Sequence, residues 1–431
     1  MGADDGQDKM SETERSTIGV AARAASLKLL DAVLRKGLPL ESALDRAAHN
    51  LERPEDRALA HAIAAEVLRH LTDLDALIDG ATAKPLAADT KARSVLRIAL
   101  AQVLRLGTPP HAAIATTLPL VDGGPKRLVH GVFGTLMRQN VRLPDPPSLP
   151  AGVVERWTEA WGADMVAAAA RMSAAPPPLD LTLRDPATTA HWCAQLDGTS
   201  LAPGHVRIAA GARVTELPGF GDGAWWVQDL SASLPARLIG AGKGRSALDL
   251  CAAPGGKTMQ LAATGWAVRG VDLAEQRLKR IGENLKRTRL QAKLVVGDAL
   301  TFTPPEPVDV VLLDAPCSAT GIFRRHPDVL HRVRPRAIVG LAERQQAMLA
   351  RAANAVRPGG LLVYSVCSLE PEEGEQVAAS FLASHGSFVA EPVRADELPD
   401  GLAPTEAGQV RIVPGAAIEA DGFFVARFRR V

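Results

Sequence analysis

The run Asp249-Leu-Cys-Ala-Ala-Pro-Gly-Gly-Lys-Thr258 limits the possible folds of this chain more than any other stretch. The short run Ser246-Ala-Leu248 leads into it, and Thr258-Met-Gln-Leu-Ala262 leads out. The first reads as a buried strand and the second as the opening turns of a helix. Gly255 and Gly256 then sit at a strand-to-helix turn, where they can take positive φ or let a ligand reach the backbone. Amides at a helix N-terminus favour negative charge on that ligand. The run is neither a P-loop, since G-x-x-x-x-G-K-[ST] is absent, nor the spaced G-x-G-x-x-G of dinucleotide folds. A Gly-Gly turn alone is commonly punctuation, so the residues beyond it must decide.

Those residues form a series of strand ends. Ala267-Val-Arg-Gly-Val-Asp272 reads as a second strand ending in an acid. A carboxylate about 20 residues after a glycine turn, at a strand end, suits a ribose diol. Ala292–Val296 precedes Gly297-Asp298, Val308–Leu313 precedes Asp314-Ala-Pro-Cys317, and Gly360–Ser365 precedes Val366-Cys367-Ser368. Open α/β sheets bind ligands at the carboxyl ends of their strands. Each acid taken singly reads as a cap or turn residue; the succession carries the argument. Gly408–Pro414 and Asp421–Arg430 read as two final strands.

The rest of the chain is organised differently. Residues 1–15 are polar and acidic, which predicts a disordered tail. Residues 16–143 read as all-helical: Val20, Ala24, Leu27, Leu30 and Val33 recur at helical spacing, as do Leu59, Ile63, Val67 and Leu71. A proline-rich linker comes next, and residues 144–230 read as that linker plus a small α+β module, with one helix over Val153–Met172. Residues 231–431 form the domain that holds the strand series. The four cysteines, Cys193, Cys251, Cys317 and Cys367, give no disulfide framework and no C-x-x-C metal pair. A reducing cytoplasm is the expected setting, and no apolar run reaches membrane-spanning length. With a net charge of +1, any nucleic-acid contact has to come from local patches.

Three runs carry a resemblance. Asp249–Thr258, Asp314-Ala-Pro-Cys-Ser-Ala-Thr-Gly321 and Ser365-Val-Cys-Ser-Leu-Glu-Pro-Glu-Glu373 resemble the signature motifs of the Nop/Sun family of RNA cytosine-5 methyltransferases. The chain is most similar to the family's bacterial RsmB (Sun/Fmu) branch, which methylates small-subunit ribosomal RNA. Arg53–Ala60, Thr108–Ile114 and Leu128–Arg138 are similar to the NusB-like RNA-binding domain that precedes the catalytic part in that branch. The resemblance covers nearly the whole chain. It implies an α/β Rossmann-like methyltransferase domain with a mixed seven-stranded sheet whose last strand is antiparallel. An N-terminal all-α NusB-like domain and the small α+β module would come before it.

The chemistry implied is covalent. C5 of cytosine is a poor nucleophile, but a thiolate added to C6 makes C5 enamine-like, able to take a methyl group from a sulfonium donor. Free cysteine taken alone is commonly a small buried hydrophobe, the reading kept for Cys193 and Cys251. Two strand-end cysteines compete as nucleophile; the resemblance implies Cys367, with Cys317 assisting proton removal or product release. Asp314 would hold the base edge or face the donor's charged end. For the donor, S-adenosylmethionine, Cys251, Ala252, Ala253, Pro254, Gly255, Gly256 and Lys257 would wrap the methionine part. Asp272 would accept from the ribose and Asp298 would lie by the adenine. Lys257 has a second reading, a solvated surface lysine.

Arg277 is counted on the donor side, and also with Lys279, Arg280, Lys286, Arg287 and Arg289 as a basic face for RNA. Arg324 and Arg325 rank first for phosphate contact, because they follow the Cys317 loop directly and match the family motif. Gly374 stands where the family pattern has Asn, a departure expected to loosen the loop after Cys367. No metal and no membrane are expected; RNA, in the first place 16S ribosomal RNA, is the expected substrate of a monomer. A transfer-RNA cytosine-5 methyltransferase is one alternative. A non-catalytic RNA-binding assembly factor with a relic methyltransferase fold is the other.

Overall fold

The structure, a computed structural model, describes residues 12–431, with side chains from residue 19 onward. Seven helices come first: α1 (Glu12–Leu34), α2 (Leu40–Ala47), α3 (Pro54–Arg69), α4 (Leu71–Gly80), α5 (Lys91–Leu104), α6 (Pro110–Thr117) and α7 (Gly123–Arg138). Then come α8 (Ala151–Trp161), α9 (Ala163–Ser173), β1 (Leu179–Leu183), α10 (Thr189–Gln195), β2 (His205–Ile208), β3 (Trp225–Val227) and α11 (Leu230–Ile239). The main sheet and its helices begin with β4 (Ser246–Leu250), α12 (Gly256–Ala263), β5 (Ala267–Asp272), α13 (Glu275–Thr288), β6 (Lys293–Val296) and β7 (Val308–Asp314). The remaining elements are α14 (Val329–Arg332), α15 (Pro335–Ala353), β8 (Val356–Val366), α16 (Glu375–Ser384), β9 (Phe388–Ala390), β10 (Val410–Ile412) and β11 (Phe423–Arg430). No helix among the described residues is long and apolar enough to cross a membrane.

The chain divides into two compact units. The first comprises residues up to 154 together with 326–332, and the second 155–325 with 333–431. Up to residue 11 the expected tail lies outside the described residues. Its last part is a correction, because Glu12–Arg15 belong to α1.

The first unit is all-helical. Leu29, Ile63, Val67, Leu96, Ile98 and Val129 are fully buried in its core. Pro54 opens α3, where its missing N–H leaves no donor unsatisfied, and Thr90 caps α5 by accepting from Arg93 N. The segment 326–332 is built into this unit: Leu40 N donates to Asp328 Oδ2 at 3.3 Å, and His331 Nε2 lies 2.7 Å from Leu68 O. His70 is 1% exposed, and neither ring nitrogen has a hydrogen-bond partner among the described residues.

Burial lowers the pKa of both His70 and His331 to about 4 from an ordinary 6.5. A base whose folded pKa is depressed supports stability above its unfolded pKa and withdraws it as pH falls. The window is therefore pH 6.5 down to about 4, and each histidine is worth at most about 3 kcal/mol across it. Urea unfolding followed by far-ultraviolet dichroism should show this unit losing several kcal/mol between pH 7 and 4.5. His70→Leu should flatten the profile; an acid sensitivity unchanged by that substitution would rule His70 out as a source.

The second unit holds two sheets. The small one is antiparallel with order β2-β1-β3, and Leu181 of β1 faces Val206 on one side and Val227 on the other. The large one runs β10-β11-β8-β7-β4-β5-β6, with β9 paired to β11. From β8 to β6 its pairings are parallel, and β11 is antiparallel to β8. Val311, Leu312 and Leu313 of central β7 are 0% exposed. Covered on both faces, β7 reads as a continuous apolar run rather than an alternating one. Each such side chain contributes about 1.5–3 kcal/mol. Helix α13 shows the opposite pattern: Leu278, Ile281 and Leu285 are buried, and charge fills its outer face.

Two expectations are corrected by this architecture. The sheet has eight strands rather than seven, the extra one being the three-residue β9. The single helix expected over Val153–Met172 is two, α8 and α9, because Gly162 between them takes φ 83°.

Candidate active site

The glycine turn forms as the sequence requires. Cys251 has φ 61° and Gly255 φ 104°, so the chain reverses sharply between β4 and α12. A Cβ on Gly255 would lie 2.9 Å from Ile281 Cγ2, and its φ is one that L side chains rarely adopt. Around this turn stand three acids. Asp249 is fully buried; Thr258 Oγ1 donates to its Oδ2 at 2.5 Å, and its Oδ1 has no partner among the described residues. Asp272 is buried; Oδ2 accepts from Ala253 N, Oδ1 accepts from Ala274 N, and Arg277 Nη2 lies 3.3 Å away. Asp314 accepts from Lys257 Nζ at 2.7 Å and from Ser365 Oγ at 2.8 Å. Burial pushes Asp249 up to about 7; the charges of Asp314 and Asp272 add to the shift and Lys257 opposes it.

The surface reading of Lys257 does not hold. Its side chain is 11% exposed, paired with Asp314, and its Nζ lies 5.3 Å from the centre of the Phe423 ring. Cys251 is pushed up to about 12, first by burial and then by Asp314 and Asp272, so it stays a neutral thiol.

A cavity of about 370 Å³ opens at the carboxyl ends of β4, β5, β7 and β8. Cys251, Ala253, Asp272, Arg277, Asp298, Asp314, Cys317 and Cys367 all line it. A second cavity of about 330 Å³ shares Cys251, Ala253 and Asp314 and takes in Pro254 to Lys257 and Asp249. Between them the two cavities gather every residue expected on the donor side, and both cysteines. A larger hollow of about 700 Å³ lies at the opposite, amino ends of β4 and β5, and brings no reactive groups together. Among the described residues no group of three or more His, Cys, Asp or Glu could hold a metal ion.

The two sulfurs face each other. Cys317 Sγ and Cys367 Sγ are 3.6 Å apart, each in the loop that leaves one of the neighbouring strands β7 and β8. Gly321 N donates to Cys367 O at 3.0 Å, and Gly422 N donates to Gly321 O at 2.9 Å. A Cβ on Gly321 would fall 2.1 Å from Gly422 O, so only glycine lets these backbones meet. The Cys317 thiol is pushed well above its ordinary pKa, first by its hydrogen bond with Cys367, then by burial and by the charges of Cys367 and Glu373.

Sequence reasoning gave no role to Ser318, Gln345, Tyr364 or Glu373, which form a buried network beside the sulfurs. The one available signal was Glu373 closing the quoted motif, and its spacing from Cys367 alone names no partner. Gly374 stands against Arg411 and Phe424. A Cβ there would fall 2.2 Å from Arg411 Nη2 and 3.0 Å from the Phe424 ring, so the missing side chain makes room for Arg411.

The phosphate-contact expectation is corrected for Arg324. This side chain is 0% exposed and spends its guanidinium on Asp421 at 2.5 Å, Asp229 at 2.9 Å and Glu419 at 3.0 Å. Arg325 is held the same way, by Asp229 at 2.7 Å, Asp421 at 2.9 Å and Pro178 O at 3.0 Å. Arg287 is half-buried over Phe220 and donates to the carbonyls of Phe220 and Trp225. Arg277, Lys279, Arg280, Lys286 and Arg289 do present an exposed basic face.

Comparison with known proteins agrees with this geometry. A family model described as 16S rRNA methyltransferase RsmB/F matches residues 238–429, and one described as the NusB family matches residues 20–130. A Xylella fastidiosa protein named ribosomal RNA small subunit methyltransferase B is 36% identical over 430 residues, covering 95% of this chain and 98% of its own. Among solved structures, PH0851 superposes with a TM-score of 0.75 at 23% identity, covering 96% of this chain and 99% of its own. NSun6 from Pyrococcus horikoshii, solved with SFG, superposes with a TM-score of 0.57 at 19% identity, covering 65% of this chain and 98% of its own. These two likenesses establish the fold; the sequence relationship goes further, and on it the chain belongs to the RsmB family of small-subunit ribosomal RNA methyltransferases.

Proposed function

We propose that this chain transfers a methyl group from S-adenosylmethionine to C5 of a cytosine in 16S ribosomal RNA, with Cys367 as the attacking thiol. The observation that carries the reading is the pair of sulfurs 3.6 Å apart on a cavity that also holds Asp272 and Asp314. Cytosine-5 chemistry needs a thiol at the pyrimidine face, and an acid-lined cavity suits a donor with a sulfonium, an ammonium and a ribose diol. The named relative is a small-subunit RNA methyltransferase, and SFG, bound to NSun6, is an analogue of that donor.

The residues fit the donor. Asp249 keeps a buried carboxylate oxygen without a partner in the cavity wall, and Asp272 stands at the strand end that suits a ribose diol. Residues 251–257 would hold the methionine part, and Asp298 the adenine edge. When bound, the donor supplies the methyl group. Everything else falls to the chain. Cys367, as thiolate, would form a bond to C6 and raise electron density at C5. After methylation, loss of the C5 proton and breaking of the S–C6 bond restore the ring and the thiol. Cys317 is placed to assist that release. Asp314, held by Lys257 and Ser365, would keep the base edge or the donor's cation in register. Residues 16–143 would bring the RNA, 144–230 would shape its groove, and 231–431 would carry out the transfer.

The test is methylation of purified 16S ribosomal RNA and of transfer RNA with labelled donor, then digestion to nucleosides. Label in 5-methylcytidine from 16S RNA is expected. Label in transfer RNA alone would replace the substrate, and label in another nucleoside would remove the C5 assignment. Failure to bind S-adenosylmethionine by calorimetry would favour the non-catalytic alternative.

A further inference from the structure

Glu373 lies close to the reactive pair, is 0% exposed, and has no part in the reaction proposed above. Its Oε1 accepts from Ser318 N at 2.9 Å and from Gln345 Nε2 at 3.0 Å. Its Oε2 accepts from Ser318 Oγ at 2.5 Å and from Ser368 Oγ at 2.6 Å. Ser318 directly follows Cys317, and Ser368 directly follows Cys367. One carboxylate thus spans the residues next to both sulfurs. Gln345 extends the clamp by donating to Pro316 O at 3.0 Å, on the other side of Cys317.

Its charge state is set by these partners. A backbone N–H and an amide Nε2 can only donate, so Oε1 carries no proton. The orientation of Gln345 is set by Pro316 O, a carbonyl that can only accept from its Nε2. Burial raises this carboxyl above its ordinary range, and the hydrogen bonds from Ser318, Ser368 and Gln345 oppose that shift.

We propose that Glu373 is the positioning residue of the thiol pair: it fixes the spacing of the two sulfur-bearing loops and keeps the shared proton on Cys317, leaving Cys367 as the thiolate. The inference rests on the proposed role of the two cysteines. A buried anion opposes a second negative charge nearby, and Glu373 adds to the rise of Cys317, after the hydrogen bond with Cys367, burial and the charge of Cys367. The other groups that face the pair are Tyr364, Asp314 already matched by Lys257, and the cavity-wall cations Arg277 and Arg344.

The test uses the full chain without RNA or donor. Each thiol is alkylated with iodoacetamide across a pH series, and the two cysteine peptides are quantified by mass spectrometry. In the natural protein Cys367 should react at a pH lower than Cys317 by at least about one unit; the reverse order overturns the proposal. In Glu373→Gln the two curves should converge, and kcat on ribosomal RNA should fall on the order of 100-fold, with RNA KM and donor Kd within about twofold. Unchanged separation and unchanged kcat in that variant also overturn it. Glu373→Asp keeps the charge but cannot span both loops, so it should preserve the separation and still lose kcat. Because alkylation needs no methylation, its outcome stands even if the proposed RNA reaction fails.

Discussion

Cys317→Ala, incubated with 16S ribosomal RNA and S-adenosylmethionine, should accumulate protein covalently linked to RNA, while Cys367→Ala should form none. Cys367→Ala should also lose methyl transfer by a factor on the order of 10⁴ or more, the scale seen when an attacking group is removed. Both cysteines line the cavity and their sulfurs are 3.6 Å apart, so position alone does not choose between them. Their surroundings do. Cys317 is pushed well above its ordinary pKa, first by its hydrogen bond with Cys367 and then by burial, with Glu373 adding to the shift. A group that holds its proton suits release of the product, and a thiolate suits attack. Denaturing gels with labelled RNA read the result directly. Linkage that persists in Cys367→Ala and vanishes in Cys317→Ala would move the attack to the loop after Asp314. Linkage in neither form, with methylation intact, would end the covalent scheme.

Arg324→Ala should cost the second unit about 3–5 kcal/mol, the range for removing one partner from a buried ion pair. The substitution takes one of two cations from Asp229, which accepts from Arg324 at 2.9 Å, and from Asp421, which accepts at 2.5 Å, leaving Arg325 as the cation paired with both. Even in the natural protein burial pushes Asp421 up to about 6, with the Asp229 charge adding to it. Losing Arg324 raises Asp421 further and removes one of the charges that hold Asp229 below its ordinary range. An acid whose folded pKa is raised supports stability below its unfolded pKa and withdraws it as pH rises. The deficit of the variant should therefore be smallest near pH 4 and grow through pH 6 and above. Urea unfolding at several pH values measures it. The phosphate-contact reading predicts the opposite profile, with stability unchanged, RNA affinity reduced and the salt slope lowered by about one. That outcome would restore Arg324 as an RNA ligand.

The fold was legible where burial is two-sided. β4, β5, β7 and β8 are parallel and covered on both faces, so each stands out as an apolar run ended by a polar residue. β9 was not legible: three residues carry no period, and it exists by pairing with β11. The grouping proposed as the donor side was legible because the turn at residues 251–257 and the strand-end acids sit on adjacent strands. Glu373 was not, since its role arises only when the loop after β8 folds back beside Ser318, 55 positions earlier in the chain. Arg324 was misread for a related reason. A short basic run looks solvated until Asp229 and Asp421, 95 and 97 positions away, close on it.

The junction of Gly321 with Gly422 bears on when this protein becomes competent as it is made. The loop between Cys317 and Gly321 rests on the backbone that enters β11, Phe423 lies under Lys257, and β11 flanks the strand that delivers Cys367. Residues 422–430 leave the ribosome after every other part of the site. The nascent chain thus has the turn at residues 251–257 and both sulfurs before they can be locked together. On the proposed assignment, methyl transfer would wait until translation has passed β11, a delay between exposing the thiol pair and arming it.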